Sequence, residues 1–223
     1  AMSKAEVNIS ITGESSALDF TVIGYTDEDE AYYNSKFNED IAYTKSLMDS
    51  NTLGHLLNQG GMEGDKNLVF APYYDTSNWE PMYEKMSMFK NCTSLQYVPH
   101  YDTHLWETTS YMFDGCISLR EVPLFNISSV KNMSYMFSKC TSLTTVPQFN
   151  TSSVTDMSGM FYGCTSLTTV PAFNTSSVTD MSIMFSGCTS LTTVPVFNTS
   201  SVTDMSSMFK ECTSLTTVPQ FDT

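Results

Sequence analysis

The sequence is poor in basic residues and in the side chains that catalysis uses most. Lysine and arginine number 10 against 24 acidic residues, giving a net charge of −14 and no basic patch, so we expect no nucleic-acid partner. With 3 histidines and no recognisable nucleophile–base pair, we predict no catalytic residue, no cofactor and no enzyme activity. No apolar run is long enough for membrane insertion, and no signal peptide is recognisable. These absences favour a binding or structural protein.

A unit of 24 residues is repeated six times from Cys92 to the end of the chain. The period is set most clearly by the cysteines: Cys92, Cys116, Cys140, Cys164, Cys188 and Cys212. A fixed period of this size is typical of a solenoid, in which each unit packs only on its neighbours. We therefore predict a β-rich solenoid of about six 24-residue repeats, each with two extended segments and one helical turn. A solenoid presents a long face and seldom a closed pocket, which favours recognition.

Apolar residues recur at fixed positions of the unit and are predicted to form buried ladders. Each unit carries a leucine, a valine and a Met-Phe pair at constant spacing, as at Leu143, Val146 and Phe161. The segment Ser-Leu-Thr-Thr-Val has a strand composition and stops at a proline. The cysteine is a small hydrophobe in such a ladder, and side chains stacked about 4.8 Å apart are poorly aimed for a disulfide. We therefore expect free thiols.

Four of the units carry one long motif almost unchanged. The string Asn-Thr-Ser-x-Val-Thr-x-Met-Ser-x-Met-Phe-x-Gly-Cys-x-Ser-Leu occupies residues 126–143, 150–167, 174–191 and 198–215. It resembles the BspA-like leucine-rich repeats of bacterial surface proteins and mollicute lipoproteins, over about 130 residues. The resemblance implies a right-handed leucine-rich solenoid on a bacterial cell surface and adhesion to host proteins or cells. Similar repeats also occur in phage-encoded proteins.

The beginning of the chain is not repetitive. Residues 1–66 combine alternating apolar segments with an amphipathic helical pattern, so we predict an α+β N-terminal cap, with a separate small domain as the alternative. Residues 67–223 form the predicted solenoid, which opens with a degenerate unit at 67–91. In that unit Pro72 precedes Pro99 by 27 residues. The sequence stops within a unit, and we interpret it as truncated there.

The residues that differ between nearly identical units are the candidates for recognition. Tyr111 and Tyr135 stand before the Met-Phe pair, and Tyr162 stands after it. Packing tolerates many residues at these positions, so we expect them to face solvent, where aromatic side chains serve recognition. Trp106, in a column that otherwise holds valine, and His100 are weaker candidates. Unselected surface variation is the alternative interpretation.

A row of carboxylates is the other repeated polar feature. Asp156, Asp180 and Asp204 occupy one position of successive units. Like charges about 5 Å apart repel each other, so we expect the three side chains to be solvated. A weak calcium site is the alternative, and we predict no other metal site.

These observations favour a surface-displayed adhesion module that binds a host extracellular protein or glycan through the repeat face. The alternative is a structural spacer, or a phage virion or tail-associated component, with no ligand of its own. We accordingly expect an extracellular location on the bacterial surface, or in a phage virion. The sequence indicates no oligomeric state.

Overall fold

A computed structural model of the protein describes residues 62–69, 71, 87–99, 101 and 103–221. These residues form a stack of coils in which, from Met88 onward, each position lies beside the residue 24 positions further along the chain. Parallel bridges join one residue of each coil to the next, in the order Thr108, Asn132, Asp156, Asp180 and Asp204. The repeat solenoid predicted from the period is therefore confirmed.

The coils are built from turns and single bridges, and the described ranges contain neither a helix nor a strand. The predicted β-rich character is therefore not observed. In the predicted strand Ser-Leu-Thr-Thr-Val, the backbones of neighbouring coils share few hydrogen bonds, such as Thr168 N–H to Thr144 O at 3.3 Å. The second predicted segment has more of them, such as Thr179 N–H to Thr155 O at 2.8 Å, but it forms single bridges and no strand. Within these same ranges, no segment is a helix capable of crossing a membrane.

Threonine and serine hydroxyls join the coils where strands were predicted. The Oγ1 atoms of one threonine column, Thr155, Thr179 and Thr203, donate to the carbonyl 24 residues earlier at 3.0–3.2 Å. The buried Thr151 and Thr175 donate to carbonyls of the following coil at 2.9 and 2.7 Å. In the first column the hydroxyl shares its carbonyl with the backbone N–H of the same threonine, whereas Thr151 and Thr175 bond carbonyls that accept from no backbone N–H of the described residues. The abundance of threonine and serine is therefore partly structural.

The segment around the Met-Phe pair has a regular alternation of backbone hydrogen bonds. Every second N–H group donates to the next coil at 2.6–2.9 Å: Met133 to Asp156, Tyr135 to Ser158, Phe137 to Met160 and Lys139 to Tyr162. The N–H groups between them donate inside the coil, as from Met136 to Met133 O at 3.2 Å. The predicted helical turn is therefore a run of consecutive turns whose shape is imposed by bonds in both directions.

The core consists of side-chain ladders along the stack. One phenylalanine column, from Phe89 to Phe209, stacks with ring centroids 5.6–5.8 Å apart. A second column, from Phe125 to Phe197, packs beside it at 6.2–6.3 Å. The predicted leucine column is fully buried through Leu191. The apolar columns read from the sequence are therefore the core of the solenoid.

All six cysteines are free, as predicted. In five coils the Sγ atom donates to the phenylalanine carbonyl 27 residues earlier, at 2.9–3.2 Å. Burial raises the pKa of Cys92 and of Cys188 to about 12, which keeps both thiols neutral at physiological pH. The cysteine therefore serves as an apolar side chain and as a weak donor between coils.

The coil pattern already includes residues before the first full repeat. The N–H groups of Met62 and Gly64 donate to Met88 O and Lys90 O, both at 2.7 Å, as in later coils. Most of the predicted cap lies in residues 1–61, outside the described residues, so the cap, its alternative and the boundary after residue 66 stay predictions.

Candidate functional site

One position of the coil varies in sequence and has a left-handed backbone in five successive coils. It holds Tyr111, Tyr135, Gly159, Ile183 and Ser207, with φ angles of 57°, 54°, 59°, 49° and 55°. This conformation costs a non-glycine residue roughly 1–2 kcal/mol. Hydrogen bonds on both sides impose it here, so the side chain is free to change. A strained backbone at a variable position is the kind of feature that favours a role in function.

Tyr111 and Tyr135, both predicted as recognition residues, are brought together by this column. Their rings are parallel within 5°, with centroids 4.9 Å apart. The Nζ atom of Lys90 lies 4.8 Å from the Tyr111 centroid and 3.7 Å from Asp114 Oδ2. The Tyr135 ring lies against Gly159, where an added Cβ would approach Tyr135 Cε1 to 2.5 Å. The ring faces are therefore engaged within the protein, and edges and hydroxyls remain for a partner.

Tyr162 occupies a second variable position and is the most exposed of the three tyrosines, at 37 %. Ser138 and Ser186 hold this position in the coils before and after, and both are buried. Our expectation that the whole position faces solvent is therefore wrong, because a serine side chain is too short to reach past the neighbouring coils. The structure places only the large side chain at the surface.

The surroundings of the Tyr135 hydroxyl are acidic. Its pKa is raised, first by partial burial and then by nearby tyrosines and aspartates, namely Tyr111, Asp180, Asp156 and Tyr162. Burial and the negative charges of the acidic row both disfavour the phenolate, so the hydroxyl keeps its proton.

The aspartate row lies at the bridges between coils. The Oδ1 atoms of Asp156, Asp180 and Asp204 each accept the backbone N–H of the serine two residues later at 2.8 Å. Asn132 makes the same bond at the same position, also at 2.8 Å. These hydrogen bonds lower the pKa of Asp204. No three His, Cys, Asp or Glu side chains converge in the described ranges, so the calcium alternative gains no support from them.

Two other sequence candidates do not contribute to this surface. Trp106 is 4 % exposed, and its backbone N–H donates to Thr103 O at 2.9 Å, as the backbone N–H of Val130 does to Ile127 O at 3.0 Å. The indole therefore fills the valine position of the core, and the prediction of Trp106 as a ligand-binding residue is wrong. His100 lies outside the described residues and stays a prediction.

Sequence reasoning placed Lys90, Asp114 and Gly159 at the variable positions but did not include them in the candidate site. The signal was present in the period, because Lys90 and Asp114 hold the Tyr162 position in earlier units. Gly159 likewise follows the two stacked tyrosines in their own column. A residue without a side chain directly after two large ones indicates where the stack ends.

The sequence matches one protein-family model, described as "Mycoplasma protein of unknown function, DUF285", over residues 80–188 and 144–223. The two matches together span 80–223, or 144 of 223 residues. No curated protein matches the chain.

Similar solved structures include a leucine-rich repeat protein from T. pallidum. It is 21 % identical, and the match covers 58 % of this chain and 69 % of that one, with a TM-score of 0.41. Another is a leucine-rich repeat protein from Bacteroides ovatus, which is 20 % identical. That match covers 66 % of this chain and 47 % of that one, with a TM-score of 0.30.

Proposed function

From the premise that the chain belongs to the family described as "Mycoplasma protein of unknown function, DUF285", we propose that it is a surface-displayed interaction module. We infer a right-handed leucine-rich solenoid of the BspA-like type, located outside the cell on a bacterial surface. Its partner is a host extracellular protein, and it carries out no catalysis. The repeat solenoid and the sequence motif shared with surface proteins support this proposal.

The observation that carries the proposal is the tyrosine pair in the variable column. The same backbone accepts glycine and serine, so core packing does not explain Tyr111 and Tyr135. The two rings are half-buried against each other, so little side-chain freedom remains to be lost on binding. Ordered aromatic residues with a protruding polar edge are common binding hot spots. Tyr162, one coil further on, extends this surface.

The geometry favours a protein over a glycan. Sugar rings commonly stack on the face of an aromatic ring, and here those faces are engaged by Lys90, by the neighbouring tyrosine and by Gly159. Hydroxyl groups and ring edges suit the hydrogen bonds and close packing of a protein interface. We therefore place a host extracellular protein before a host glycan.

The test is binding of the whole chain to immobilised matrix proteins and mucins. A Tyr111→Ser/Tyr135→Ser variant should weaken binding by about tenfold or more. Serine is compatible with this backbone, because Ser207 holds the same position with φ 55°. The matched control is Ile183→Ser, which alters the same column away from the stack and should leave affinity within about twofold.

Two outcomes would contradict the proposal. If both variants bind as the unaltered chain does, the tyrosine stack is not the contact surface. If the unaltered chain binds none of these proteins or mucins, the structural alternative is favoured, namely a spacer or a phage virion or tail component.

A further inference from the structure

We propose that Lys90, held by Asp114, is a positioning residue of the recognition surface. It closes the outer face of the Tyr111 ring, so that the tyrosine pair keeps one orientation and presents its edges and hydroxyls to the partner. This inference rests on the proposed function, and it adds a residue that acts on binding through Tyr111 without contacting the partner itself.

The tyrosine stack needs a support at each end. At one end the Tyr135 ring rests on Gly159, where the absence of a side chain lets it lie against the next coil. At the other end the column continues to Ser87, which stands 24 residues before Tyr111, and a serine side chain is too short to cover a tyrosine ring. The outer face of Tyr111 would therefore be open unless another position of the preceding coil covers it.

Lys90 provides that cover from the preceding coil. Its Nζ atom lies 4.8 Å from the centroid of the Tyr111 ring. Tyr135 belongs to the following coil and stacks with its centroid 4.9 Å away, so the ammonium group and the second ring occupy opposite faces of Tyr111. The negative face of an aromatic ring attracts an ammonium group, and this attraction resists rotation of the ring away from the stack.

Asp114 fixes the lysine in place. Its Oδ2 atom lies 3.7 Å from Lys90 Nζ, and the two side chains are only 14 % and 30 % exposed. The backbone joins the same turns, because Asp114 N–H donates to Tyr111 O at 3.1 Å and Asn91 N–H donates to Asp114 O at 2.7 Å. The carboxylate and the ring thus come from one turn, and the lysine comes from the matching turn of the preceding coil. The partly buried ion pair restricts a side chain that is otherwise among the most flexible.

The coil itself does not depend on this charged pair. Ser138 and Ser186 hold the Lys90 position in later coils, and the column residues of those coils, Tyr135 and Ile183, keep φ angles of 54° and 49°. A serine at position 90 is therefore compatible with the backbone. The charged pair acts on side chains, and the ring that it contacts is that of Tyr111.

Order in the ring is what partner binding requires. A rigid aromatic side chain loses little rotational freedom when its edge and hydroxyl are captured in an interface, whereas a ring that is free to turn loses more and binds less tightly. Removing the Lys90 side chain frees one face of Tyr111 while both tyrosines remain. Affinity should then fall although no contact with the partner has been deleted.

The experiment uses the whole chain and compares Lys90→Ser with Lys90→Arg. Near-ultraviolet circular dichroism reports on the order of the rings, and Lys90→Ser should remove about half of the signal that Tyr111→Ser removes. Binding to the immobilised matrix proteins and mucins should weaken about threefold. Lys90→Arg should keep both within about twofold of the unaltered chain, because a guanidinium group also stacks on a ring and pairs with a carboxylate.

Three comparisons separate positioning from a direct role of the charge. In a Tyr111→Ser background, Lys90→Ser should change neither the circular dichroism signal nor the affinity, because the ring on which it acts is absent. A Lys90→Ser/Asp114→Ser variant, which leaves no unpaired carboxylate, should behave as Lys90→Ser does. The matched control is Lys210→Ser, at the same position of the last coil, where the column residue is Ser207. It should leave the signal unchanged and the affinity within about twofold.

Three results would overturn the inference. An unchanged circular dichroism signal in Lys90→Ser would show that the lysine does not order the ring. An equal loss of affinity in the Tyr111→Ser background would assign the effect to contact between Lys90 and the partner, and an equal loss for Lys210→Ser would assign it to net charge. If binding still requires Tyr111 and Tyr135 in these cases, the proposed function stands and only the role of Lys90 fails. If the circular dichroism results are as expected but no host protein binds, the proposed function fails, while the action of Lys90 on the Tyr111 ring stands on the spectroscopic result.

Discussion

Replacing Gly159 with alanine tests whether the tyrosine stack depends on a position without a side chain. The backbone there has φ 59°, so a Cβ costs about 1 kcal/mol in backbone strain. That Cβ would lie 2.5, 2.7 and 2.9 Å from Tyr135 Cε1, Cδ1 and Cζ, so the ring must move. Displacing it weakens the stack with Tyr111, which contributes about 0.5–1.5 kcal/mol. We expect Gly159→Ala to lower the free energy of unfolding by roughly 2 kcal/mol.

A double-mutant cycle with Tyr135→Ser separates the two costs. Without the ring, Gly159→Ala should keep only its backbone cost of about 1 kcal/mol, which leaves a coupling energy of about 1 kcal/mol. Urea unfolding followed by circular dichroism measures both, and the near-ultraviolet signal reports on the tyrosine stack. Gly163→Ala is the control, because φ is 70° there but the nearest side-chain atom, Lys139 Cγ, is 3.6 Å from the added Cβ.

The reasoning is refuted if Gly159→Ala costs the same with and without the Tyr135 ring. That result would mean that the ring does not lean on Gly159, and the stack would lose its support on that side. If Gly163→Ala lowers the free energy of unfolding as much as Gly159→Ala does, the whole effect comes from the left-handed backbone and not from the ring.

Two further predictions concern what holds the coils together. Burial raises the pKa of Cys92 and Cys188 from 9.0 to about 12, so these thiols lose their protons at lower pH in the unfolded chain than in the folded one. Their contribution to the free energy of unfolding is therefore complete below pH 9 and is lost as the pH rises towards 12. At pH 10 the loss is about 1.4 kcal/mol per thiol. A thermal midpoint that stays constant from pH 8 to 10 would contradict this. Thr151→Val should cost about 1–2 kcal/mol in urea unfolding, because it removes the 2.9 Å hydrogen bond to Asn174 O, whereas the exposed Thr145→Val should cost less than about 0.5 kcal/mol. Equal costs at the two threonines would argue against hydroxyl bonding between coils.

The register and the core were predictable because the repeat is nearly perfect. When the same residues recur every 24 positions, equivalent side chains must meet equivalent surroundings, so the leucine and phenylalanine columns stack and the cysteines remain free. The periodicity also covers residues before the first full repeat. Met62 precedes Phe89 by 27 residues, the offset that separates Pro72 from Pro99, so its place in a coil could have been inferred.

The local backbone was not predictable from propensity. Ser-Leu-Thr-Thr-Val has the composition of a strand, but composition does not tell how many of its backbone N–H groups will reach a carbonyl of the neighbouring coil. The left-handed φ of Tyr135 and Ile183 contradicts the preference of both residues and is held by hydrogen bonds within the coil and between coils. Trp106 was a weaker candidate because its column otherwise holds core valines, and the structure shows that the core accommodates the larger indole there.

The arrangement of hydrogen bonds explains how this repeat can vary a binding surface without altering its fold. Because both neighbouring coils determine the backbone of the variable column, tyrosine, glycine, isoleucine and serine all occur there in one conformation. A large side chain in this column can then pack against the side chain at the same position of the next coil, as Tyr111 stacks on Tyr135. If the proposed function holds, the contact with a partner is centred on the coils that carry Tyr111, Tyr135 and Tyr162. The later coils, with isoleucine and serine in the column, add length and support to the stack, and substitutions there should leave binding unchanged.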